Sequence, residues 1–277
     1  GRLRFVEVLG EGGYGVVYRA TDETSPTSSS MPDPKQYAVK ALLKAEYGSR
    51  RWQYHQNEIA AHKLLTGHRN VLTLHDIIDD DKYTYLILDY CSGGDLFSAI
   101  SEKHQFAGND ALVKDTFLQI IDGVQACHNK GIFHRDLKPD NIFCVDRELN
   151  KIVIGDFGLA TAERSSDTFG CGSAYYMSPE CIGQDTGYRT YDVAASDVWS
   201  LGVILTNMLV GRNPWNFAQF SDDAFFNYVE DNHYLIRTLP ISKSAWFLLN
   251  RMFTWSARDR VGLDELRQMV LDVDTFF

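Results

Sequence analysis

The most restrictive feature of this chain is a pair of polar segments on either side of a short apolar stretch. Residues 134–141 read HRDLKPDN, and Asp156-Phe157-Gly158 follows fifteen residues after Asn141. The apolar residues 152–154 between the two segments predict a buried strand. Two segments of this specificity, in this order and at this spacing, indicate a site for phosphoryl transfer.

The residue types in these segments fit separate roles in such a reaction. The carboxylate of Asp136 is able to orient and deprotonate an incoming hydroxyl group, and Lys138 is able to hold the transferring phosphoryl group. The amide oxygen of Asn141 and the carboxylate of Asp156 are suitable ligands for Mg²⁺. Phe157 predicts a hydrophobic anchor next to Asp156.

A glycine-rich segment near the N-terminus predicts a loop that covers phosphate groups. Glycines let backbone N–H groups approach phosphates without interference from Cβ atoms. A dinucleotide-binding loop needs a helix directly after the glycines, whereas a second strand follows here and predicts a hairpin. Taken alone, the segment is better explained as a plain hairpin turn. Its residues are Gly10, Glu11, Gly12, Gly13, Tyr14 and Gly15.

Lys40 on a predicted strand and Glu58 on the helix predicted next form a candidate ion pair. A lysine in a cleft neutralises two phosphates only if its flexible side chain is held, and a carboxylate on a facing helix can hold it. The alternative is an exposed lysine and a solvated glutamate. The other motifs favour the pair.

Charge and cysteine content narrow the class of protein. The 277 residues include 27 Lys and Arg against 37 Asp and Glu, and the formal net charge of -10 argues against nucleic-acid or anionic-membrane binding. Five scattered cysteines favour a reducing compartment, so we expect an intracellular protein of the cytoplasm, the nucleus or both. Residues 199–211 are too short to span a membrane. No signal peptide opens the chain, and a start without Met indicates an excised domain.

The hydrophobic pattern changes along the chain from strands to helices. Short alternating segments predict strands, and a 3.6-residue period predicts helices. The change falls at residues 89–94 and gives an α+β fold. The predicted strands are 5–8, 16–18, 37–43, 72–74 and 83–88, the predicted surface loop is 21–35, and the predicted helices are 50–65, 111–130, 196–210, 244–255 and 263–270.

Taken together, these segments resemble the catalytic domain of eukaryotic protein kinases of Ser/Thr type, from one end of the chain to the other. Residues 177–180 (MSPE) are similar to the family's A-P-E motif, and 196–202 (SDVWSLG) to the start of the helix that supports the catalytic loop. Arg260 matches the arginine that pairs with the motif's glutamate, here Glu180. The run 169–181 is loosely similar to fungal Ser/Thr kinases linked to nutrient and meiotic control.

This resemblance implies a bilobal fold with ATP and two Mg²⁺ ions between the lobes. The N-lobe (1–88) is expected to hold a small antiparallel sheet and one main helix, and a hinge (89–94) connects it to a larger helical C-lobe (95–277). The adenine is expected against Asp89 and Cys91, with Leu88 guarding the deeper pocket. The other implied nucleotide contacts are Val17, Ala38 and Phe143 at the adenine ring and Asp95 near the ribose. For Val17 and Ala38, core packing is an equally good explanation.

The resemblance also bears on the acceptor. Lys138 two residues after Asp136 is the Ser/Thr pattern, and Ser173 stands where such kinases keep a threonine that bonds both residues. Asp95 and Asp140 match acidic positions that hold basic residues of a substrate, although Asn207 replaces a glutamate that often accompanies them. We expect a monomeric catalytic domain that phosphorylates proteins, with a moderate preference for Arg or Lys before the acceptor.

Three positions depart from the family pattern. His62 replaces an aliphatic residue that normally packs near Phe157, and structural tolerance is the favoured interpretation. Phe169 stands where a phosphothreonine is usual, with Thr168 beside it and Arg135 as the residue type that binds such a phosphate. About five extra residues separate Glu180 from Asp197.

Two alternative functions stay open, a pseudokinase scaffold that binds nucleotide without turnover and a small-molecule phosphotransferase of similar fold.

Overall fold

Residues 2–12, 15–25 and 34–277 are described by the structure, which is a computed structural model. Gly13, Tyr14 and residues 26–33 of the predicted loop lie outside this range. The strands are β1 (Leu3–Gly12), β2 (Gly15–Asp22), β3 (Gln36–Leu43), β4 (Leu74–Asp79), β5 (Tyr83–Asp89), β6 (Gly94–Asp95), β7 (Ile142–Cys144), β8 (Ile152–Ile154), β9 (Ser165–Ser166) and β10 (Tyr191–Asp192). The helices are α1 (Arg50–Leu65), α2 (Leu96–Ser101), α3 (Asp110–Asn129), α4 (Pro179–Ile182), α5 (Val193–Val210), α6 (Asp223–Glu230), α7 (Tyr234–Thr238), α8 (Lys243–Met252) and α9 (Leu263–Asp272).

The N-terminal part is a five-stranded antiparallel sheet in the order β1-β2-β3-β5-β4, with α1 as its main helix. Lys40 pairs with Val17 on one side, and Ala38 pairs with Leu88 on the other. Directly opposed residues share a face of a sheet, as do residues two apart on one strand. The register therefore turns Val17, Ala38, Lys40 and Leu88 toward the same side.

The glycine-rich segment connects β1 and β2 as the predicted hairpin, in which Gly12 pairs with Gly15. Gly15 has a φ of +156°, and a Cβ atom there would lie 2.2 Å from the carbonyl oxygen of Ala41 on β3. Since no side chain fits at that distance, this position requires glycine. The close approach brings the hairpin down onto the strand that carries Lys40.

Several sequence predictions for this half were wrong in their bounds, and β1 and β2 are longer than the predicted strands 5–8 and 16–18. The predicted strand 72–74 is instead β4, which begins at Leu74, because the backbone N–H of Leu72 donates to the carbonyl of Ile154. The predicted loop 21–35 begins too early, because β2 continues through Asp22. The carboxylate of Asp22 accepts hydrogen bonds from Arg2 and Thr24, and these bonds hold the polar end of β2 in place.

The C-terminal part is helical and is built around α5. Of this 18-residue helix, 83% is buried, and a cluster of aromatic rings around Trp199 packs against it. By length and composition alone α5 is apolar enough to cross a membrane, but its burial identifies it as the core helix of this fold. Helix α5 begins three residues before the predicted start, at Val193, where Asp192 caps its N-terminus.

The α+β organisation is confirmed and includes two small sheets besides the large one. Strands β6, β7 and β8 form one of them, and Val71, which precedes β4, forms a parallel bridge with Ile154 on β8. Strands β9 and β10 form the other and pair residues 165–166 with 191–192. The last strand of the large sheet ends at Asp89, and the first helix of the second half begins at Leu96.

Candidate active site

A cavity of about 550 Å³ lies between the five-stranded sheet and the β6-β7-β8 sheet. The structure brings fifteen of the predicted site residues to its walls, fourteen predicted for nucleotide or metal binding and Glu58 predicted to hold Lys40, although their roles stay predictions. They are Gly10, Glu11, Gly12, Gly15, Val17, Ala38, Lys40, Glu58, Leu88, Asp89, Cys91, Asp95, Asn141, Phe143 and Asp156. Gly13 and Tyr14, which were predicted for the same role, lie outside the described residues. Leu9 and Leu72 also line the cavity, and sequence reasoning missed both because an apolar residue alone carries no signal of a site.

Lys40 is held by two carboxylates inside this cavity. Its ammonium nitrogen lies 2.5 Å from Glu58 on α1 and 2.8 Å from Asp156. Burial alone would lower the pKa of Lys40, but the charges of Glu58 and Asp156 outweigh it and raise the pKa above its usual range. Lys40 therefore stays protonated and fixed where it can neutralise a phosphate.

Asp156 occupies a backbone conformation that side chains rarely adopt, with a φ of 58°. Burial works against ionisation of its carboxyl group, but Lys40 outweighs burial and lowers its pKa. Arg135, in the loop of residues 134–141 that corresponds to the family's catalytic loop, is similarly strained, with a φ of 63°. Such conformations cost on the order of 1 to 3 kcal/mol each and cluster at functional sites, where the surrounding structure enforces them.

Two predicted residues of the catalytic loop, Asn141 and Lys138, contact the carboxylate of a third, Asp136, and Ser173 contacts Lys138. Asn141 donates from its amide nitrogen to the backbone oxygen and to Oδ2 of Asp136, at 2.8 and 3.2 Å. The ammonium of Lys138 lies 3.3 Å from Oδ2 of Asp136 and donates to Oγ of Ser173 at 2.9 Å. Among the described atoms, Oδ1 of Asp136 is buried and has no hydrogen-bond partner. Oδ2 of Asp136 is thus positioned by the amide of Asn141 and the ammonium of Lys138.

Asp197 at the start of α5 holds this loop in place. Its carboxylate accepts the backbone N–H groups of His134 and Arg135, both at 2.9 Å, and the ring of His128 at 2.8 Å. Burial opposes ionisation of Asp197, but the hydrogen bond from His128 and the neighbouring donors outweigh it and lower its pKa. The backbone at Gly172 also packs closely against this loop, since a Cβ atom at Gly172 would lie 2.4 Å from the carbonyl oxygen of Arg135.

Phe157 is fully buried between two imidazole rings. The ring of His62 on α1 meets it edge-on at 4.9 Å, and the ring of His134 lies at 5.2 Å. Burial lowers the pKa of His62 to about 3, and the charge of Lys40 adds to this effect. His62 is therefore a neutral ring at physiological pH and packs as an aliphatic residue would.

The hinge residues lie along the edge of the cavity. The N–H of Asp89 donates to the carbonyl of Thr73, and the carbonyl of Cys91 accepts from Gly94. Burial and the charge of Asp89 raise the pKa of Cys91 to about 12, so its thiol is a packing group rather than a nucleophile. Asp95 caps α2 by accepting from the N–H of Ser98, which leaves it at the cavity edge.

The segment between Asp156 and Glu180 is anchored without a phosphate. Strand β9 pairs with β10, which lies between Glu180 and Asp197. The ring of Phe169 packs at 5.7 Å from Tyr191, and the N–H of Gly170 donates to the carbonyl of Cys181. In the described part of the chain, the guanidinium of Arg135 forms no ion pair and donates to the carbonyl of Leu159. An apolar contact at Phe169 thus stands where the family places a charged one.

We therefore expect the unmodified chain to be active. Phosphatase treatment should change the rate of peptide phosphorylation by less than about twofold, as should Thr168→Ala, because neither change touches the packing of Phe169 on Tyr191. The measurement is turnover before and after treatment, with mass spectrometry to establish that phosphate has been removed. Loss of turnover in both the treated enzyme and Thr168→Ala would show that a phosphate is required.

Comparison with known proteins places this geometry in a family. The model of the protein kinase domain matches residues 3–271. A negative regulator of sexual conjugation and meiosis from Schizosaccharomyces pombe is 39% identical over 97% of this chain and 59% of its own length. The serine/threonine-protein kinase VHS1 of Saccharomyces cerevisiae is 30% identical over 97% of the chain and 69% of its own length. A human SNF-related serine/threonine-protein kinase is 32% identical over 83% of the chain and 29% of its own length.

The chain spans only part of these relatives, between 29% and 69% of their lengths. The match nevertheless covers almost the whole chain and agrees with the sheet, the cleft and the helical half described above. This chain therefore belongs to the protein kinase domain family, as a serine/threonine kinase domain whose reactants are ATP, used with a divalent metal ion, and a protein substrate.

Proposed function

We propose that this chain transfers the γ-phosphoryl group of ATP, bound with Mg²⁺, directly to Ser and Thr hydroxyl groups of proteins, without a covalent enzyme intermediate. The observation that carries the proposal is the carboxylate of Asp136, which accepts from the amide of Asn141 and has its Oδ2 atom 3.3 Å from the ammonium of Lys138. A free carboxylate oxygen accepts a proton, and an adjacent cation stabilises the charge of a transferring phosphoryl group. Asn141, which donates to Asp136, lines the cavity that holds Lys40.

The residues present fit a magnesium ion. Asp156 offers an ionised carboxylate, and Asn141, whose amide nitrogen is occupied by Asp136, keeps its amide oxygen for a ligand. Across residues 2–12, 15–25 and 34–277, no group of three His, Cys, Asp or Glu residues is arranged to hold a metal alone. Oxygen ligands in this number are typical of magnesium sites completed by substrate phosphates. When bound, the ion supplies charge neutralisation on the phosphates.

The chain's own residues account for the remaining steps. Lys40, held by Glu58, binds and orients the phosphates, and the Gly10 to Gly15 hairpin lies over the same cavity. Asp136 orients the acceptor hydroxyl and takes its proton while the hydroxyl oxygen bonds to phosphorus and the bond to the leaving oxygen breaks. Lys138, fixed by Ser173, stays beside the moving phosphoryl group. Positioning and charge stabilisation supply most of the rate.

The direct test is phosphorylation of a mixed peptide library with ATP labelled at the γ position. We expect label on Ser and Thr peptides only in the presence of Mg²⁺, with none on Tyr peptides and none on the enzyme as an intermediate. Label on small metabolites in place of peptides would instead identify a small-molecule phosphotransferase. Binding of nucleotide without any transfer would identify a scaffold.

We further propose a moderate preference for Arg or Lys before the acceptor, which is supported by the exposed carboxylate of Asp140 beside Lys138. Asp95 contributes less because its carboxylate already caps α2. Asp140→Asn should reduce the preference for basic over neutral peptides, on the order of 1 kcal/mol for a charge pair of this kind. The control is Asp274→Asn, which removes another exposed carboxylate and should leave the preference for basic peptides unchanged. A library that favours acidic or proline-directed sites would refute the preference.

The catalytic domain is also proposed to be monomeric and intracellular, in the cytoplasm, the nucleus or both. All five cysteines are free thiols, which supports a reducing compartment. Sedimentation of the purified chain should give a mass near 31.4 kDa, and a dimer mass would contradict the first part of the proposal. Microscopy of the whole protein carrying a fluorescent tag tests the second part.

A further inference from the structure

A cavity of about 620 Å³ lies between the end of α1 and the C-terminal half of α3. Residues 64–70, which include the turn that follows α1, form one wall, and residues of α3 from Asp122 onward form the other. Among the described residues, none lines both this cavity and the nucleotide cavity. Neither ATP binding nor the proposed reaction therefore accounts for it.

Two cations at this cavity have no partner. Arg69 follows α1 and Lys130 follows α3, and both side chains are exposed. Within the described residues, neither side chain forms an ion pair or a hydrogen bond. The one carboxylate among the described lining residues, Asp122, lies 2.7 Å from the guanidinium of Arg267. The cavity is therefore positively charged, although the net charge of the whole chain is -10.

Three neutral side chains in the walls use their acceptor atoms locally and keep a donor. Nδ1 of His68 accepts from the backbone N–H of Asn70 at 3.2 Å, so the neutral ring carries its proton on Nε2. The hydroxyl oxygen of Thr66 accepts a backbone N–H at 3.1 Å, and the amide oxygen of Asn129 accepts from an amide one turn earlier at 2.9 Å. The groups left for a ligand are mainly cations and donors, and such groups favour an anion.

We propose that this cavity binds a phosphoserine or phosphothreonine residue of a protein segment, with Arg69 and Lys130 as the cations that hold the phosphate. A phosphate group carries a charge of about -1.5 to -2 and three acceptor oxygens, so it can engage two cations and further donors. The carboxylate of Asp or Glu has one charge and two oxygens. The planar guanidinium of Arg69 also suits bidentate binding of phosphate oxygens.

The cavity offers a polypeptide more than a free anion could use. Its volume is in the range of sites that enclose ligands larger than a phosphate group. Leu64 is 48% exposed and lines the cavity with Ala126, so both side chains can contact the residues next to the phosphorylated one. The negative charge of the chain as a whole disfavours a phosphorylated segment elsewhere on its surface, and this favours binding at the one basic cavity.

The test measures binding of fluorescein-labelled peptides to the chain by fluorescence anisotropy, without ATP, so that the result does not depend on phosphoryl transfer. Each peptide has a central phosphoserine, Ser or Glu between Ala and Leu residues. We expect the phosphoserine peptide to bind at least about tenfold more tightly than the other two, and its affinity to fall as salt is added.

Variants of the two cations test where the phosphate binds. Arg69→Ala and Lys130→Ala should each weaken binding of the phosphoserine peptide about tenfold. Arg69→Lys should weaken it less than Arg69→Ala, because the charge is kept while the bidentate geometry is lost. The matched controls are Arg189→Ala and Lys243→Ala, since both side chains are exposed and neither lines the cavity. These two should keep the wild-type affinity, and thermal melts should show that all variants are folded.

Three results would overturn the phosphate site. The first is tight binding of the phosphoserine peptide to the double variant Arg69→Ala with Lys130→Ala. The second is equal binding of the phosphoserine and Glu peptides. The third is competition by inorganic phosphate at the concentration of the peptide itself, which would show that the cavity takes an adventitious ion only.

Discussion

Replacing Asp136 by Asn is expected to slow phosphoryl transfer by about 10²- to 10⁴-fold while the affinity for ATP and Mg²⁺ stays unchanged. The side chain keeps its size but loses an oxygen that can accept a proton. It also places an N–H₂ group among donors, because Asn141 and Lys138 both point at Asp136. Other residues contact the nucleotide, so the affinity for ATP and Mg²⁺ should not change.

Asp156→Asn should behave differently, because Asp156 serves the nucleotide rather than the acceptor. The change removes the carboxylate proposed to hold Mg²⁺ and one of the two charges that fix Lys40. Both the metal-dependent part of ATP binding and turnover should weaken. The contrast between the two variants separates a residue that acts in the reaction from one that binds the reactant.

Calorimetry of ATP binding with Mg²⁺, beside single-turnover transfer to a Ser peptide, measures the two quantities separately. Asp81→Asn is the matched control, since Asp81 is exposed on the turn between β4 and β5 and should leave both values unchanged. If wild-type enzyme binds nucleotide but transfers no faster than Asp136→Asn, the chain is a scaffold and not an enzyme.

The elements that sequence predicts best here are those with a complete local signal. Helix α1 has the predicted bounds of 50–65, because Ser49 caps its start by accepting from the N–H of Trp52 and few breakers interrupt it. The strand predicted at 72–74 failed for the opposite reason. Its apolar residues reflect burial of Leu72 against β8, a long-range contact, and short apolar runs do not distinguish such burial from strand pairing.

For the site, the sequence predicts which residues take part but not how their atoms are arranged. Motif spacing predicts which residues matter, and the structure gathers Lys40, Glu58 and Asp156 into one hydrogen-bonded group although they are distant in sequence. The spacing of the motifs does not predict which hydrogen bonds each side chain forms or which backbone conformation each residue adopts. The free Oδ1 of Asp136 and the strained φ of Asp156 depend on neighbours from several segments.

The anchoring of the segment around Phe169 was also beyond sequence reasoning, except as a departure from the family. Strand β10 pairs with β9, and the ring of Tyr191 on β10 packs against Phe169. Phe169 and Tyr191 are distant in sequence, so no local pattern predicts their contact.

Replacing Arg260 by Met is expected to lower the free energy of unfolding by about 3 to 5 kcal/mol, a large part of the 5 to 15 kcal/mol typical of a protein domain. Arg260 and Glu180 are 0% and 2% exposed, and the guanidinium binds both carboxylate oxygens, at 2.5 and 3.0 Å. It also donates to the carbonyl of Ala195 and lies over the ring of Trp199 at 4.9 Å. Removing the guanidinium leaves the buried carboxylate of Glu180 without its ion-pair partner.

Chemical denaturation of wild type and variants measures the loss, with Arg251→Met as the matched control. Arg251 pairs with Glu265 at 2.8 Å on the surface, so its loss should cost less than about 1 kcal/mol. The double variant Glu180→Leu with Arg260→Met removes both charges and should recover part of the stability lost in Arg260→Met alone. A double variant no more stable than the single one would show that lost packing around Trp199, and not the unpaired charge of Glu180, sets the cost.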